Sequence, residues 1–256
     1  MTEPAPGGAL VTGGGRRIGR ALCLALARAG HDVAVHHRSG ADQARDLAAE
    51  LRSFGVRAQA VHADLADEDQ ARGLIAEAAG AIGPLTLLVN NASLFEDDRV
   101  GALSRELWDR HMATNLRAPV ILAETFAAQI PDAAAGRASV VNLLDQRVLK
   151  PDPRFFSYGL SKAGLWWATR TLAQALAPRV RVNGAGPGPT LPSIHQSQAE
   201  FDAEARNIPL ERASSPEAIA EAVLYLARAD RVTGQMIAVD GGQHLAWKTP
   251  DIVDED

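Results

Sequence analysis

Thr12-Gly13-Gly14-Gly15-Arg16-Arg17-Ile18-Gly19-Arg20 follows the apolar run Ala9–Thr12 and opens a helical pattern over Arg17–Ala29. A strand, a glycine turn and a helix in that order let backbone approach a pyrophosphate, whose charge then sits against the helix N-terminus. Outward from this stretch the same alternation continues. Short β-rich runs at Asp32–His36, Arg57–His62, Leu85–Val89, Ala138–Asn142, Val180–Ala185 and Met236–Val239 read as strands. Helical patterns lie between them at Ala41–Phe54, Glu68–Ala79, Leu107–Gln129, Phe155–Ala177 and Pro216–Ala227, and Gly30, Gly55 and Gly83 stand where C-terminal caps belong. Near-continuous apolar strands alternating with helices imply an α/β fold, a seven-stranded, doubly wound parallel sheet with helices on both faces.

The end of the second strand points to the dinucleotide. A site that prefers NAD places an Asp or Glu there, roughly 20 residues beyond the glycines, to hold the ribose 2′-hydroxyl. This chain has His36-His37-Arg38-Ser39 and no acid. A guanidinium and a hydroxyl suit a 2′-phosphate, with Arg16 or Arg17 closing from the glycine turn, so the expected cofactor is NADP(H). Neighbouring strand residues point to opposite faces, so His36 and His37 cannot chelate one metal. No other Cys, His or carboxylate cluster has ligand spacing, and no metal is expected.

Composition narrows the function class. The 256 residues carry no linker or internal repeat, and one domain over 1–256 is expected. The formal net charge of −5 argues against a nucleic-acid partner. No stretch approaches the ~20 apolar residues that span a bilayer, so no membrane role is expected. Cys23, the one cysteine, lies in an apolar run; it reads as a buried thiol and fits a reducing cytoplasm. Residues 186–212 break the pattern after a late strand, near the sheet edge where ligands bind; rich in Gly and Pro at first and then weakly helical, they read as a substrate loop. The acidic segment 246–256 reads as a C-terminal tail.

Tyr158 and Lys162 stand one helical turn apart, on one face. An ammonium near a phenol is expected to lower the phenol pKa and make it a usable acid. Upstream, Val140-Val141-Asn142-Leu143-Leu144 leads into Asp145, where a serine is expected. A serine can donate a hydrogen bond to a substrate carbonyl, whereas an ionised Asp only accepts. Beside a developing alkoxide it opposes ketone reduction. A C=N bond in a ring that carries N–H donors suits it better.

The glycine turn, Asn90-Asn91-Ala92, Asn115, Tyr158-x-x-x-Lys162, Val182-Asn183-Gly184-Ala185-Gly186-Pro187-Gly188 and Val239-Asp240-Gly241-Gly242 together resemble the short-chain dehydrogenase/reductase family. The resemblance runs from about Leu10 to Gly242 and implies a single-domain Rossmann fold. Four departures resemble the pteridine reductases, including the bacterial dihydropteridine and dihydromonapterin (dihydrofolate) reductase type. They are Arg17 in place of the middle glycine, His-Arg-Ser closing the second strand, Ser93-Leu94-Phe95 after Ala92, and Asp145 in place of serine.

That resemblance implies reduction of a dihydropterin or dihydrofolate to the tetrahydro form. Tyr158 would donate the proton, Lys162 would hold the nicotinamide ribose, and Asp145 would pair with Tyr158 or substrate N–H groups. Asn115 would support the catalytic group. Cofactor contacts would come from Gly13, Arg16, Arg17, Ile18, Gly19, His37, Arg38, Ser39, Asp64, Leu65, Asn91, Ala92, Ser93, Lys162, Pro187 and Gly188. Phe95 would stack on the pterin, with Arg17, Ser93, Asp145, Tyr158 and Gly188 also meeting substrate. Arg147, Lys150 and Arg154 read most simply as solvated charges. Of Trp166 and Trp167, one is expected in the core and one in a subunit interface, and the helices Leu107–Gln129 and Phe155–Ala177 resemble the faces of a homotetramer. Two alternatives remain open: a carbonyl or 3-ketoacyl-type reductase with protonated Asp145, and an NADP(H)-binding regulatory protein without turnover.

Overall fold

The computed structural model describes residues 7–131, 136–192 and 196–247. Seven strands form one sheet: β1 (Gly8–Val11), β2 (Val33–His37), β3 (Ala58–His62), β4 (Leu85–Asn90), β5 (Ala138–Leu143), β6 (Val180–Pro187) and β7 (Met236–Val239). Their spatial order is β3-β2-β1-β4-β5-β6-β7, and every pairing is parallel. The eight α-helices among the described residues are α1 (Arg17–Arg28), α2 (Ala41–Arg52), α3 (Glu68–Ile82), α4 (Arg105–Met112), α5 (Ala118–Ala128), α6 (Phe156–Leu176), α7 (Gln198–Arg206) and α8 (Pro216–Arg228). The doubly wound α/β expectation therefore holds.

Alternation along each strand builds two cores. Leu10, Leu88, Val140 and Val182 face Leu74, Ile121 and Phe126 of α3 and α5. Ala9, Val11, Val89 and Val141 face Leu22, Leu47 and Val223 of α1, α2 and α8. Gly30, Gly55 and Gly83 end α1–α3 with φ of 88°, 83° and 93°, as caps that L side chains rarely fill. The strand order reverses between β1 and β4, which opens a crevice at their carboxyl ends.

Three local readings change. The helix expected over Leu107–Gln129 starts at Arg105, where the Ser104 hydroxyl accepts the Leu107 N–H (3.3 Å), and passes through a π turn at Ala113–Arg117. Pro119 lies just beyond that turn and has no N–H for the Asn115 carbonyl four residues back, so regular α geometry cannot run through. Inside the expected substrate loop, α7 forms behind a capping box of Ser197 and Glu200. Trp166 is half-buried under Arg170 (5.7 Å) and joins neither core, while Trp167 is 68% exposed. The tail lies outside the described residues beyond Trp247. Among the described residues no helix is long and apolar enough to cross a membrane.

Candidate active site

The glycine turn is held from three sides. Gly13 takes φ +62°, and its N–H donates to His36 Nδ1 (3.0 Å). A Cβ on Gly19 would lie 2.1 Å from the Gly13 carbonyl oxygen, so only glycine lets α1 press this closely on the turn. Asn91 Nδ2 donates to the Thr12 and Gly13 carbonyls (2.8 and 3.2 Å), and the Asn91 and Ala92 amides both donate to Thr12 Oγ1 (2.9 Å). Because His36 Nδ1 accepts, its Nε2 carries the proton and donates to the Ala63 carbonyl (3.1 Å). Burial pushes the His36 pKa down to about 4, which keeps the ring neutral.

This cradle fits a dinucleotide. Arg16 supplies no side-chain cap and the first turn of α1 has no acid, so its leading N–H groups are open to phosphate. Arg17, also at positive φ (52°), swings its guanidinium to the Pro192 and Leu191 carbonyls (3.0 and 3.4 Å). At the end of β2 the His37 ring lies 5.4 Å from His62, its buried Nδ1 has no partner, and Arg38 and Ser39 are exposed beside it. Asp64 follows β3, half-exposed, while Leu65 is buried in the core.

The candidate catalytic pair, Tyr158 and Lys162, rises from α6. Tyr158 donates its hydroxyl to Asp145 Oδ2 (2.7 Å), and Lys162 Nζ donates to the Leu143 carbonyl (2.8 Å). The ammonium lies 5.8 Å from the Tyr158 ring centroid. Burial pushes Lys162 down to about 8, partly opposed by Asp145. The expected lowering of the Tyr158 pKa does not appear. Burial first, then the Asp145 charge and hydrogen bond, push it well above its ordinary value. Lys162 is turned to a backbone carbonyl and cannot outweigh a carboxylate in direct contact.

Asn115, from the π turn, accepts the Leu94 N–H (2.8 Å) and the Ser93 hydroxyl (3.3 Å). It donates to the Leu94 carbonyl (2.9 Å) and Ser161 Oγ (3.1 Å), tying the post-β4 loop to α6. That loop carries Phe95, stacked on Phe155 (4.2 Å, 15°) and edge-on to Tyr158 (4.8 Å, 81°). A cavity of about 770 Å³ brings together Arg17, Ile18, Asn91, Ser93, Phe95, Asp145, Tyr158, Lys162, Pro187 and Gly188. Gly13, Arg16, Gly19, His37, Arg38, Ser39, Asp64, Leu65, Ala92 and Asn115 do not line it. Among the described residues no group of three or more His, Cys, Asp or Glu is placed to hold a metal.

The sequence model described as enoyl-(acyl carrier protein) reductase matches residues 13–244. The chain belongs to the short-chain dehydrogenase/reductase family. It is an oxidoreductase. Two solved family structures are similar throughout. One is FolM alternative dihydrofolate reductase 1 of Brucella canis complexed with NADP, at 51% identity and TM-score 0.92, covering 97% of both chains. Its Brucella suis counterpart, also with NADP, is 50% identical with TM-score 0.93, covering 99% of this chain and 100% of that one. Among curated sequences, 3-oxoacyl-[acyl-carrier-protein] reductase FabG of Staphylococcus epidermidis is 31% identical, covering 93% of this chain and 98% of its own.

Within this family site, several residues escaped sequence reasoning. Arg147 is not a solvated charge. Its side chain is 20% exposed, 3.3 Å from Asp145 Oδ2 and 3.7 Å from Asp152 Oδ2. Arg154 stays exposed and pairs with Asp152 (2.7 Å). Phe155 supplies the second aromatic plate, and Glu200 and Glu204 of α7 line the cavity. The weakly helical pattern pointed to α7, and the Ser197-x-x-Glu200 spacing is the signal that marks its start.

Proposed function

We propose that the protein is an NADPH-dependent pteridine reductase that takes a dihydropterin or dihydrofolate to the tetrahydro form. The observation that carries this reading is the Tyr158 hydroxyl donating to Asp145 at 2.7 Å, beside an aromatic plate in one cavity. Similarity at about half identity to reductases named for dihydrofolate and crystallised with NADP supports it.

NADPH, when bound, supplies the hydride. The first-turn amides of α1 and Arg17 would hold its phosphates, His37, Arg38 and Ser39 its 2′-phosphate, and Lys162 its nicotinamide ribose. Asp64, Asn91, Ala92, Ser93, Pro187 and Gly188 would complete the cofactor wall. Phe95 covers the flat heterocycle. Asp145 accepts from the substrate's N–H groups and so orients the ring. Tyr158 gives its proton to the ring nitrogen as the neighbouring carbon is reduced.

A ketone reductase is the competing reading, favoured by the 3-oxoacyl relative. It needs Asp145 to donate. Yet the Arg147 N–H (2.8 Å), the Arg147 guanidinium (3.3 Å) and the Tyr158 hydroxyl (2.7 Å) all donate to that carboxylate, which suits an acceptor. NADPH oxidation measured with dihydrobiopterin, dihydromonapterin, dihydrofolate and a ketone panel separates the readings. Turnover of the pterins and inert ketones are expected, and the reverse overturns the proposal. Cofactor binding without turnover of any substrate would identify a silent binding protein.

The assembly proposed is a homotetramer, with α6 in an interface. Trp167 and Leu160 of that helix are 68% and 41% exposed in the single subunit. Light scattering should return a tetramer's mass, and a monomer's mass would contradict it.

A further inference from the structure

The Tyr158–Asp145 contact creates a charge problem that the proposed reaction must meet. When the Tyr158 proton passes to the substrate nitrogen and the hydride to its carbon, a phenolate remains. It lies at hydrogen-bond distance from a carboxylate, in a buried site where like charges repel strongly. Two cations are close enough to offset this pair. Lys162 is one, tied to the Leu143 carbonyl. The other is Arg147.

Arg147 grips Asp145 twice. Its backbone N–H donates to Oδ1 (2.8 Å), and its Nη1 donates to Oδ2 (3.3 Å), the oxygen that receives the Tyr158 hydroxyl. The same guanidinium lies over the rings of Phe95 (5.8 Å) and Phe155 (5.7 Å). One planar cation thus spans the acceptor and the aromatic plate, a geometry that a lysine cannot reproduce. Its Nε is buried, makes no hydrogen bond, and lies 3.7 Å from Asp152 Oδ2, so Asp152 does not monopolise the charge. Burial alone would lower the Arg147 pKa, but Asp145, Tyr158, Asp152 and Glu204 hold it above its ordinary value.

We propose that Arg147 is a positioning residue of this reaction: it fixes the Asp145 carboxylate against Tyr158 and offsets its charge when Tyr158 gives up its proton. This rests on the pteridine-reductase reading. The charged and titratable groups that share the cavity with Asp145 or pair with its neighbours are Tyr158 and Lys162 from α6, Arg147, Asp152 and Arg154 from its own loop, Arg17 from the glycine turn, and Glu200 and Glu204 from α7.

The test is a double-mutant cycle on the full-length protein, with Arg147→Gln, Arg147→Lys, Asp145→Asn and Asp145→Asn/Arg147→Gln. NADPH oxidation with dihydrobiopterin is followed across pH, and NADPH affinity is read by fluorescence. Arg147→Gln should lower kcat roughly ten-fold or more, with KM and NADPH affinity within about three-fold of wild type. The acid limb of kcat/KM should move to higher pH in Arg147→Gln and stay in place in Arg147→Lys, because only the first loses the cation beside Asp145. In the Asp145→Asn background the second substitution should cost less than about three-fold. Additive losses with an unmoved acid limb would assign Arg147 a purely structural part and overturn the proposal. If Arg147→Gln does not fold, Arg147→Lys decides: a lowered kcat with KM, NADPH affinity and the acid limb in place supports the assignment, and an unchanged kcat, or one that falls together with NADPH affinity, overturns it. Wild-type turnover is read first. Its absence with every pterin removes the proposed function and this assignment together, whereas turnover with an additive cycle removes this assignment alone.

Discussion

At the scale of single residues, the Asp145 carboxylate governs Tyr158: it accepts the phenol's hydrogen bond at 2.7 Å and, together with burial, holds the phenol pKa above its ordinary value. Tyr158, Lys162 and Asp145 stand out by residue type and spacing, and the structure brings all three to one cavity. The direction of the Tyr158 shift depends on burial and on where the Lys162 ammonium points, neither of which spacing carries. His36 is a similar case. It reads as half of a histidine pair, yet it props the glycine turn through Gly13. Its folded pKa of about 4 lies below the ordinary 6.5, so the unfolded chain binds the proton more readily. The stability this provides is full above about pH 6.5 and is lost as pH falls towards 4, a change of about 3 kcal/mol. Urea unfolding across that window should show the loss in wild type and a flatter profile in His36→Gln, whose amide can both accept from Gly13 and donate to Ala63. Equal slopes in the two proteins would assign the acid sensitivity to other groups.

At the scale of elements, what sequence periodicity registers is a helix's apolar face, while its ends and breaks are decided by single polar contacts. The continuous helix expected through Leu107–Gln129 is interrupted by a π turn, and that turn aims Asn115 at Leu94 and Ser161. Helix α8 ends on a contact from a distant strand. Arg181 of β6 is 8% exposed and donates to the carbonyls of Leu226, Ala227 and Ala229 at 2.8, 2.6 and 2.9 Å. These are the orphan carbonyls of a helix C-terminus, where a cation is favoured. Arg181→Met should therefore cost about 2–3 kcal/mol in chemical denaturation, because it leaves buried acceptors unpaired. A loss below about 0.5 kcal/mol, the usual size for a neutral surface change, would show that the cap is dispensable.

At the scale of the whole molecule, the seven-stranded sheet was legible because each strand is an apolar run with its own turn signal. The convergence at the crevice was legible only in part. Arg147 meets Asp145, Asp152 and Phe155 close in sequence, but its contact with Phe95, the Phe95–Phe155 stack and the place of Glu204 in the cavity join distant segments, which no local pattern encodes. The nucleotide edge makes a prediction at this scale. NADPH at about 100 times its Kd should stabilise the fold by about 2.7 kcal/mol, which a thermal-shift assay detects. At equal concentration NADH should shift the transition less, and Arg38→Ala should erase the difference between the two. An equal response of wild type to both cofactors would contradict a 2′-phosphate site at His37-Arg38-Ser39.

The acceptor carboxylate at the end of β5 decides which bond the site reduces, and Asp145→Ser tests it most directly. The measurement is kcat/KM for dihydrobiopterin and for a ketone in both proteins, with NADPH as reductant. The serine variant should lose pterin turnover by roughly ten- to a hundred-fold and gain ketone turnover, since a neutral donor then faces the substrate. A serine variant that keeps full pterin activity would contradict the account.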